Sequence, residues 1–529
     1  MKKIIYFLLT SCSLMYSQAP TIEWQKVYGG ISSENLRSIQ KTLDGGSVLS
    51  GTTLSVSSGD VTENNIWGFA YDLWIVKLNI LGTIEWQKRI GGTGADSQAK
   101  IKQTSDNGYI ISCESNSNIS GYKTENSKGG WDYWIIKLNN NGVVIWDKTI
   151  GGSGDDFASS LDITNDGNIL IGGSSNSPIS GDKTSNARGY RDFWLVKLDN
   201  QGTLIWDKTI GGSNGEVLNS MIKTLDNGYI LAGSSNSNIS WEKTEIAWDV
   251  DSDFWVVKID SFGNVIWDKT LGGTSIDETY DVVLSDDGGY VFAGNSNSGI
   301  SGNKTQSSNG SFDIWVVKLN FSGNIEWQKN IGGNQIDGCY SILNSLDDGY
   351  VILGWSNSNI SGDKSENSRG NYDFWIIKIN SLGNILWQKT YGGMNRDLGF
   401  GITQINDGSY LIAGETESSQ SGEITDLNNG NIDFCLFKLS PENLSTNINQ
   451  ISNSIWIKNP IKNSLEINTN YAIQNASIKV TDMLGKELFS TTNVSINGSL
   501  EIPVFLSNGV YLVTISNDGD SVTKKIVKE

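Results

Sequence analysis

A tryptophan motif recurs along the chain every 60 to 62 residues, and this repeat constrains the fold more than any other feature. In each copy Trp is followed by Gln or Asp, then by Lys, and after two further residues by a Gly-Gly pair. The seven copies begin at Trp24, Trp86, Trp146, Trp206, Trp267, Trp327 and Trp387. A second motif, Asp-x-Trp-x-x-Lys, begins at Asp72, Asp132, Asp192, Asp253, Asp313 and Asp373, and its copy at Asp433 has Cys435 in place of Trp. A fixed period of this length is typical of repeat architectures.

Each period contains four short runs of β-forming residues. In the copy at 216–270 we expect strands at 217–225, 229–233, 254–259 and 265–269. A tight turn at Asp226, Asn227 and Gly228 joins the first two runs, because Asn and Gly tolerate positive φ. Sixty residues with so few apolar positions cannot build a separate core. The repeat therefore predicts an all-β fold, a seven-bladed β-propeller over residues 18–440.

The two ends of the repeat region give an independent argument for closure. The chain enters on a lone fourth-strand signal at 22–28 and leaves on a lone third-strand signal at 434–439. Together they complete one blade, so we expect the N-terminal strand to close the propeller as the outer strand of the last blade. The repeats resemble quinoprotein-like and other sixty-residue-repeat propellers, and this resemblance implies a fold rather than an activity.

Composition excludes several classes of function. The chain of 529 residues has no histidine, which rules out Ser-His-Asp and Cys-His catalysis and zinc sites that use imidazole. Its net charge of −19 would repel nucleic-acid phosphates, so we expect no nucleic-acid partner. Cys113, Cys339 and Cys435 occur in unlike contexts, and we expect free, buried thiols.

The first 17 residues read as a signal peptide. Lys2 and Lys3 precede a mostly apolar stretch too short to span a bilayer, and Ser17 before Gln18 suits signal-peptidase cleavage. The alternative is a lipoprotein box at 9–12, which would place a lipid on Cys12. No later apolar stretch approaches the length of a membrane-spanning helix, so the mature chain is expected to have no transmembrane segment.

An acidic residue follows each Gly-Gly pair at the start of the inner strand. The seven are Glu34, Asp96, Asp156, Glu216, Asp277, Asp337 and Asp397. In a closed propeller they would surround the channel mouth and attract a cation. The alternative, which we favour, is a structural role in which each acid accepts backbone N–H bonds from its own glycine turn.

Aromatic residues that do not follow the repeat form a second set of candidates. The sequence places them between the second and third strands, in long loops rich in Ser, Asn and Gly: Trp67, Trp131, Tyr190, Trp241, Trp248, Trp355 and Tyr372. Aromatic ring faces stack on sugar rings, so these residues are candidate ligands for a glycan. The alternative is that each one anchors its loop to its blade.

A third candidate is the run of alternating carboxylates at Asp249, Asp251 and Asp253. Such oxygen clusters suit calcium, although Phe254 stands where a calcium loop has glycine. We expect no cofactor, with calcium as the one metal that this run allows. No pair of carboxylates stands out as a catalytic acid and base, and no catalytic residue is assigned.

The C-terminal region differs from the repeats. After a linker at 441–452, residues 453–529 carry alternating strand signals that predict a small β-sandwich. The segment resembles the type A C-terminal sorting domain of type IX secretion cargo. The matching residues are Asn459, Pro460, Asp482, Gly485, Lys486, Gly509, Val510, Tyr511, Lys524 and Lys525. This resemblance implies a bacterium of the Bacteroidetes group, Sec export, type IX machinery as a partner and an extracellular or outer-surface location.

These observations favour a secreted or cell-surface binding or adhesion protein whose ligand is a polysaccharide or a surface protein. The alternative is a polysaccharide-active hydrolase or lyase that works without histidine. A purely structural surface coat is a third interpretation.

Overall fold

The computed structural model describes residues 19–64, 70–347, 349–405, 407–442, 455–469, 472–482, 486–517 and 520–528. The signal peptide and Cys12, Trp67, Gly485 and most of the expected linker lie outside these residues. Contacts between Cα atoms divide the described chain into two compact units, Ala19–Pro441 and the segment that begins at Glu442. No helix in the described residues is long and apolar enough to span a membrane.

The unit Ala19–Pro441 is built from seven four-stranded antiparallel sheets. Across each sheet the strands follow one order, and we call them the inner, second, third and outer strand. The inner strands are β2 Glu34–Lys41, β6 Asp96–Gln103, β10 Asp156–Ile163, β14 Glu216–Lys223, β18 Asp277–Leu284, β22 Asp337–Asn344 and β26 Asp397–Gln404. The second strands are β3 Ser47–Thr53, β7 Tyr109–Ser115, β11 Ile169–Ser175, β15 Tyr229–Ser235, β19 Tyr290–Ser296, β23 Tyr350–Ser356 and β27 Tyr410–Thr416. The third strands are β4 Asp72–Leu78, β8 Asp132–Leu138, β12 Asp192–Leu198, β16 Asp253–Ile259, β20 Asp313–Leu319, β24 Asp373–Ile379 and β28 Asp433–Leu439. The outer strands are β1 Ile22–Tyr28, β5 Ile84–Ile90, β9 Val144–Ile150, β13 Leu204–Ile210, β17 Val265–Leu271, β21 Ile325–Ile331 and β25 Ile385–Tyr391.

The first strand of the chain belongs to the last sheet. The order in that sheet is β1-β28-β27-β26, and Val27 pairs with Cys435. Each inner strand also contacts the inner strands of two other sheets, in a succession that runs from β2 to β26 and back to β2. The first strand therefore covers the outer edge that β28 would otherwise expose.

Aromatic side chains fill the spaces between neighbouring sheets. The third-strand tryptophans are fully buried, and each packs on an aromatic ring in the preceding sheet where one is present. Trp194 lies 4.9 Å from Tyr133, and Trp255 lies 4.8 Å from Phe193, measured between ring centroids. Trp74 of the first complete sheet packs on Phe434 of the last one at 4.9 Å. Removal of such a buried ring typically costs about 3 to 5 kcal/mol, so these rings are a major source of cohesion between sheets.

The long loops between second and third strands are fastened by buried lysines. Lys123, Lys183, Lys243, Lys304 and Lys364 each lie over the ring of the third-strand Trp in their own sheet, at 5.1 to 5.7 Å. The Lys123 Nζ also donates to the Thr149 hydroxyl at 2.7 Å. In the first and last sheets the equivalent residues are Val61 and Ile424, which are equally buried. These loops therefore pack on their sheets despite their polar composition.

The C-terminal unit has two sheets of its own. They comprise β29 Ile455–Ile457, β30 Ser464–Thr469, β31 Ile473–Asp482, β32 Glu487–Ile496, β33 Ser499–Pro503, β34 Gly509–Asn517 and β35 Asp520–Lys528. The strand orders are β29-β30-β33 and β32-β31-β34-β35. Leu465 and Ile467 from one sheet share a single apolar core with Val480, Val513 and Ile515 from the other.

The strand predictions for the copy at 216–270 were close. The four strands begin within one residue of the expected positions and end within two residues of them. Cys113, Cys339 and Cys435 are free and buried, as expected.

Candidate functional site

The seven acids at the start of the inner strands are fully buried and hold the Gly-Gly turns. Each accepts a hydrogen bond of 2.7 or 2.8 Å from the N–H of the second glycine, as in Gly152 to Asp156. Each also accepts from a serine hydroxyl after the second strand, as in Ser177 to Asp156 at 3.0 Å. Burial raises the pKa of Asp96 to about 6. These contacts correspond to the structural alternative rather than to a solvent-facing ring of charge.

The aspartate that opens each third strand lies next to one of these acids. Asp373 accepts from the Arg369 N–H at 2.6 Å, while its other oxygen, Oδ1, is buried without a hydrogen-bond partner among the described residues. Burial, together with the negative charge of Asp397, raises the pKa of Asp373 to about 6. Each such junction thus holds two neighbouring carboxyl groups away from water.

Four of the candidate aromatic residues lie beside residues of the inner strands. Tyr372 packs edge-on against Trp355 at 5.2 Å, and Trp355 lies 6.5 Å from Tyr340 of β22. Trp131 lies 6.4 Å from Phe157 of β10. Tyr190, which is 75% exposed, lines a smaller cavity that also includes Tyr280.

The placement of Trp355 in a loop was wrong. This residue is the sixth of β23, since that strand continues to Ser356 in order to pair with Asp337. Trp241 and Trp248 do lie in the long loop, 71% and 39% exposed. Trp241 has Arg188 over its ring at 5.5 Å, and neither Trp lines the cavities described below. Trp67 lies outside the described residues.

The three carboxylates of the candidate calcium run differ in their exposure to solvent. Asp253 is buried and accepts from the Trp248 N–H at 2.9 Å, whereas Asp249 and Asp251 are exposed. The Asp249 carboxylate accepts from the neighbouring Val250 N–H. Among the described residues, no group of three or more Cys, Asp or Glu side chains is arranged to hold a metal ion.

A β-bulge in each inner strand aims one side chain at a central cavity. In six strands the register skips the fourth residue, which leaves it outside the ladder. These bulged residues are Arg37, Ser159, Asn219, Tyr280, Tyr340 and Phe400. In β6 the register skips two residues, Gln98 has a φ of +57°, and Lys100 faces the cavity. Bulges re-aim side chains in this way next to many functional sites.

The cavity has a volume of about 520 Å³ and is lined by residues of all seven inner strands. A second cavity of about 280 Å³ shares the six bulged residues and Lys100 with it. The larger volume is within the range of pockets that bind small ligands. Tyr340 and Phe400 stack nearly parallel at 4.7 Å, and Tyr280 packs edge-on against Tyr340 at 5.2 Å. One part of the lining is therefore a continuous aromatic surface.

The other part of the lining is cationic. Arg37 lies over the Phe400 ring at 5.1 Å and forms an ion pair of 3.0 Å with Glu415. Arg191 lies over the Phe157 ring at 4.4 Å. The Nζ of Lys100 donates to the Arg37 carbonyl at 3.4 Å. Burial raises the pKa of the nearby Glu114 to about 8, so this carboxyl retains its proton at neutral pH.

Sequence reasoning missed the cavity residues Arg37, Lys100, Arg191, Tyr280 and Phe400. It followed what the repeats share, while these residues occupy positions at which the copies differ. The fourth residue of the inner strand is Arg, Ala, Ser, Asn, Tyr or Phe in different copies, whereas the Gly-Gly pair and the acid before it are shared by all seven. A position that varies between copies, next to a motif that all seven copies share, is the signal that would have identified these cavity residues.

The residues of the sorting motif hold the C-terminal unit together. The Asn459 side-chain oxygen accepts from the Val527 N–H at 2.8 Å, and the Lys486 N–H donates to Asp482 at 2.9 Å. The Tyr511 hydroxyl donates to the Ser507 carbonyl at 2.7 Å. Gly509, Val510, Lys524 and Lys525 lie in the ladder between β34 and β35.

Solved structures with an overall resemblance include three that cover 76% to 80% of this chain. A protein of unknown function from Dyadobacter fermentans is 10% identical, with 80% of this chain and 99% of that chain covered and a TM-score of 0.40. The Pan2 WD40 domain of Neurospora crassa is 9% identical, with 76% and 89% covered and a TM-score of 0.41. A PL25 ulvan lyase, described as a polysaccharide lyase, is 9% identical, with 79% and 97% covered and a TM-score of 0.47. At these scores the resemblances carry no argument about function.

A comparison with curated proteins gave no match. Residues 459–529 match the family model of the secretion system C-terminal sorting domain. The chain is therefore a cargo of type IX secretion, exported to the cell surface or the extracellular space.

Proposed function

We propose that residues 19–441 form a closed seven-bladed β-propeller that binds a polysaccharide in its central cavity after export. The seven sheets would be the blades, and β1 would close the last blade through its pairing with β28. Type IX export supports the proposal, because it delivers the protein to a place where extracellular polysaccharides are present.

The observation that carries the proposal is the two-sided lining of the cavity. Tyr280, Tyr340 and Phe400 offer ring faces to the apolar faces of sugars. Ser159 of β10 and Asn219 of β14 offer a hydroxyl and an amide that can bind sugar hydroxyls. Saccharides combine flat apolar faces with polar edges, so both kinds of surface are needed to hold one in place.

The test is a glycan array probed with the full chain, followed by calorimetric titration of the best glycan. We expect Tyr340→Ala to weaken binding about tenfold or more. Phe262→Ala is the matched control, since Phe262 is 71% exposed and outside the cavity lining. Loss of binding in Trp241→Ala or Trp248→Ala, with Tyr340→Ala unaffected, would move the site to the long loops. A blank array would favour a protein ligand.

A polysaccharide-active enzyme is the second candidate, and Glu114 is the observation that favours it. A partly buried carboxyl with a pKa of about 8 keeps its proton at neutral pH, which a general acid requires. Release of new reducing ends or unsaturated uronates from the bound glycan, abolished in Glu114→Gln, would establish an enzyme. Binding without such products would leave the binding function.

A further inference from the structure

We propose that the central cavity is specific for an acidic saccharide, whose anionic group lies between Lys100 and Arg191. This inference rests on the proposed function and names the class of glycan. It follows from the placement of these two cations, from the state of the acids around them and from the charge of the whole chain.

Lys100 and Arg191 both line the cavity, and neither forms a close ion pair with a carboxylate among the described residues. In the described part of the chain, the Lys100 ammonium makes one hydrogen bond, the 3.4 Å contact to the Arg37 carbonyl. The Arg191 Nε is buried without a hydrogen-bond acceptor in the described part of the chain. A buried cationic donor that lacks an acceptor is costly, and a bound anion would remove that cost.

This arrangement is unusual in a chain with 58 acidic and 39 basic residues. The lysines of the third strands show the ordinary pattern, in which Lys137 pairs with Asp106 at 2.9 Å and Lys258 with Asp226 at 2.7 Å. Acidic partners are therefore abundant elsewhere in the unit. Among the described residues at the cavity, no acid forms a close ion pair with Lys100 or Arg191, which leaves the two cations available to a ligand.

The acids in and around the two cavities form no close ion pair with these two cations. Glu114 is largely protonated at neutral pH because burial raises its pKa to about 8. Glu415 is paired with Arg37, and Glu278 accepts from the Tyr280 hydroxyl at 3.0 Å. Asp281, in the second cavity, accepts from the Ser220 hydroxyl at 2.8 Å and from the Ile342 N–H at 3.0 Å. Of these acids, Asp281 is the one that acts on Lys100 electrostatically.

The backbone of β6 accounts for the position of Lys100. The two-residue bulge, with Gln98 at positive φ, turns Lys100 toward the cavity. Bulky residues rarely adopt positive φ, so this local strain is maintained by the surrounding fold. Arg191 immediately precedes β12, and its guanidinium carbon lies 4.4 Å from the centre of the Phe157 ring. A guanidinium group has the planar set of donors that suits a carboxylate or a sulfate.

The test uses paired probes that share a backbone and differ in charge. One pair is hexagalacturonate and its methyl ester, and another is sulfated neocarrahexaose and neutral neoagarohexaose. In calorimetric titrations of the full chain we expect the charged member of at least one pair to bind tenfold or more tightly, with affinity falling as salt is added. The pair that responds distinguishes a carboxylate from a sulfate ligand.

Variants identify the residues. Lys100→Gln with Arg191→Gln should abolish the preference for the charged member, while Lys100→Arg with Arg191→Lys should retain much of it. Lys148→Gln is the control, because Lys148 lies on the outer strand β9 and forms an ion pair with Glu125. Equal or weaker binding of the charged member in every pair that binds overturns this inference and leaves the proposed function standing. Failure of every probe and of the array overturns both.

Discussion

At the level of single residues, Trp241 departs most clearly from the repeat. It has a φ of +52°, whereas the six equivalent residues are glycines with φ between +54° and +58°. A non-glycine residue in this region costs about 1 to 2 kcal/mol. The Trp241 ring is mostly exposed, so burial gives back little of that cost. Strain of this kind often marks a functional position, which keeps Trp241 as a candidate secondary contact for a glycan.

Trp241→Gly should raise the free energy of unfolding by about 1 kcal/mol, because glycine adopts this φ without strain. Thermal and urea unfolding of the full chain measure the change. Gly181→Ala, which makes the opposite kind of change at an equivalent position, is the control. It should be destabilising, since the alanine Cβ would lie 2.2 Å from the Gly151 carbonyl oxygen. A Trp241→Gly variant that is less stable than the parent would contradict the account.

At the level of the strands and turns, paired carboxyls join each third strand to the next Gly-Gly turn. Asp373 packs so closely on Gly392 that a Cβ there would lie 1.9 Å from its Oδ1. Burial and Asp397 raise the pKa of Asp373 to about 6. The folded state therefore holds this proton more tightly than the unfolded chain, whose pKa is near 3.8. The resulting stability is present below about pH 4 and is lost as the pH rises through about 6.

Unfolding free energy should accordingly fall between pH 4 and pH 7. Asp373→Asn mimics the protonated carboxyl and should remove about 1 to 3 kcal/mol of that pH dependence. Urea unfolding at pH 4.5 and pH 7.5 measures the difference in slope between parent and variant. Asp249→Asn, at an exposed position, is the control. A slope unchanged by Asp373→Asn would show that this carboxyl is ionised throughout the range.

The buried lysines of the long loops give a second prediction at this scale. Lys243 lies over Trp255, while Val61 and Ile424 fill the equivalent position in two other copies. Lys243→Ile should be tolerated within about 1 kcal/mol, because a branched apolar side chain fills the same space. Lys243→Ala should cost about 2 kcal/mol or more through the space it leaves. Thermal unfolding compares the two, and equal stabilities would contradict a packing role.

At the level of the whole molecule, β1 is the strand that completes the last four-stranded sheet. It covers β28, and the Gln25 side-chain amide lies 3.7 Å from the Cys435 Sγ. Cys113 and Cys339 lie in sheets that β1 does not join. A chain without residues 19–28 should therefore expose one thiol of these three.

A thiol reagent should label Cys435 in the shortened chain and none of the three in the parent. A synthetic peptide of residues 19–30 should suppress that labelling, because it restores the missing strand. Peptide mapping by mass spectrometry identifies the cysteine. Equal labelling of all three would indicate general unfolding, and no labelling would show that β28 is covered without β1.

The sequence predicted most of the strands and their order in the sheets, but few of the residues that line the cavity. Regular spacing of Trp and Gly-Gly motifs locates strands and sheet order, because each copy must satisfy the same packing and hydrogen bonds. It cannot reveal that Arg37 and Phe400 meet, since they lie at opposite ends of the repeat region and come together only through sheet succession. Trp355 was assigned to a loop because its pairing with Gly338 is not visible in the local pattern. The Lys100 bulge is equally invisible, as it depends on the ladder with β7.

The measurement that tests the central claim most directly is a crystal structure of the full chain with the glycan selected by the array. The account predicts a sugar ring stacked about 4 Å from Tyr340 or Phe400, within the cavity lined by the seven inner strands. A glycan seated on Trp241 or Trp248 with the cavity unliganded would contradict the central-cavity claim.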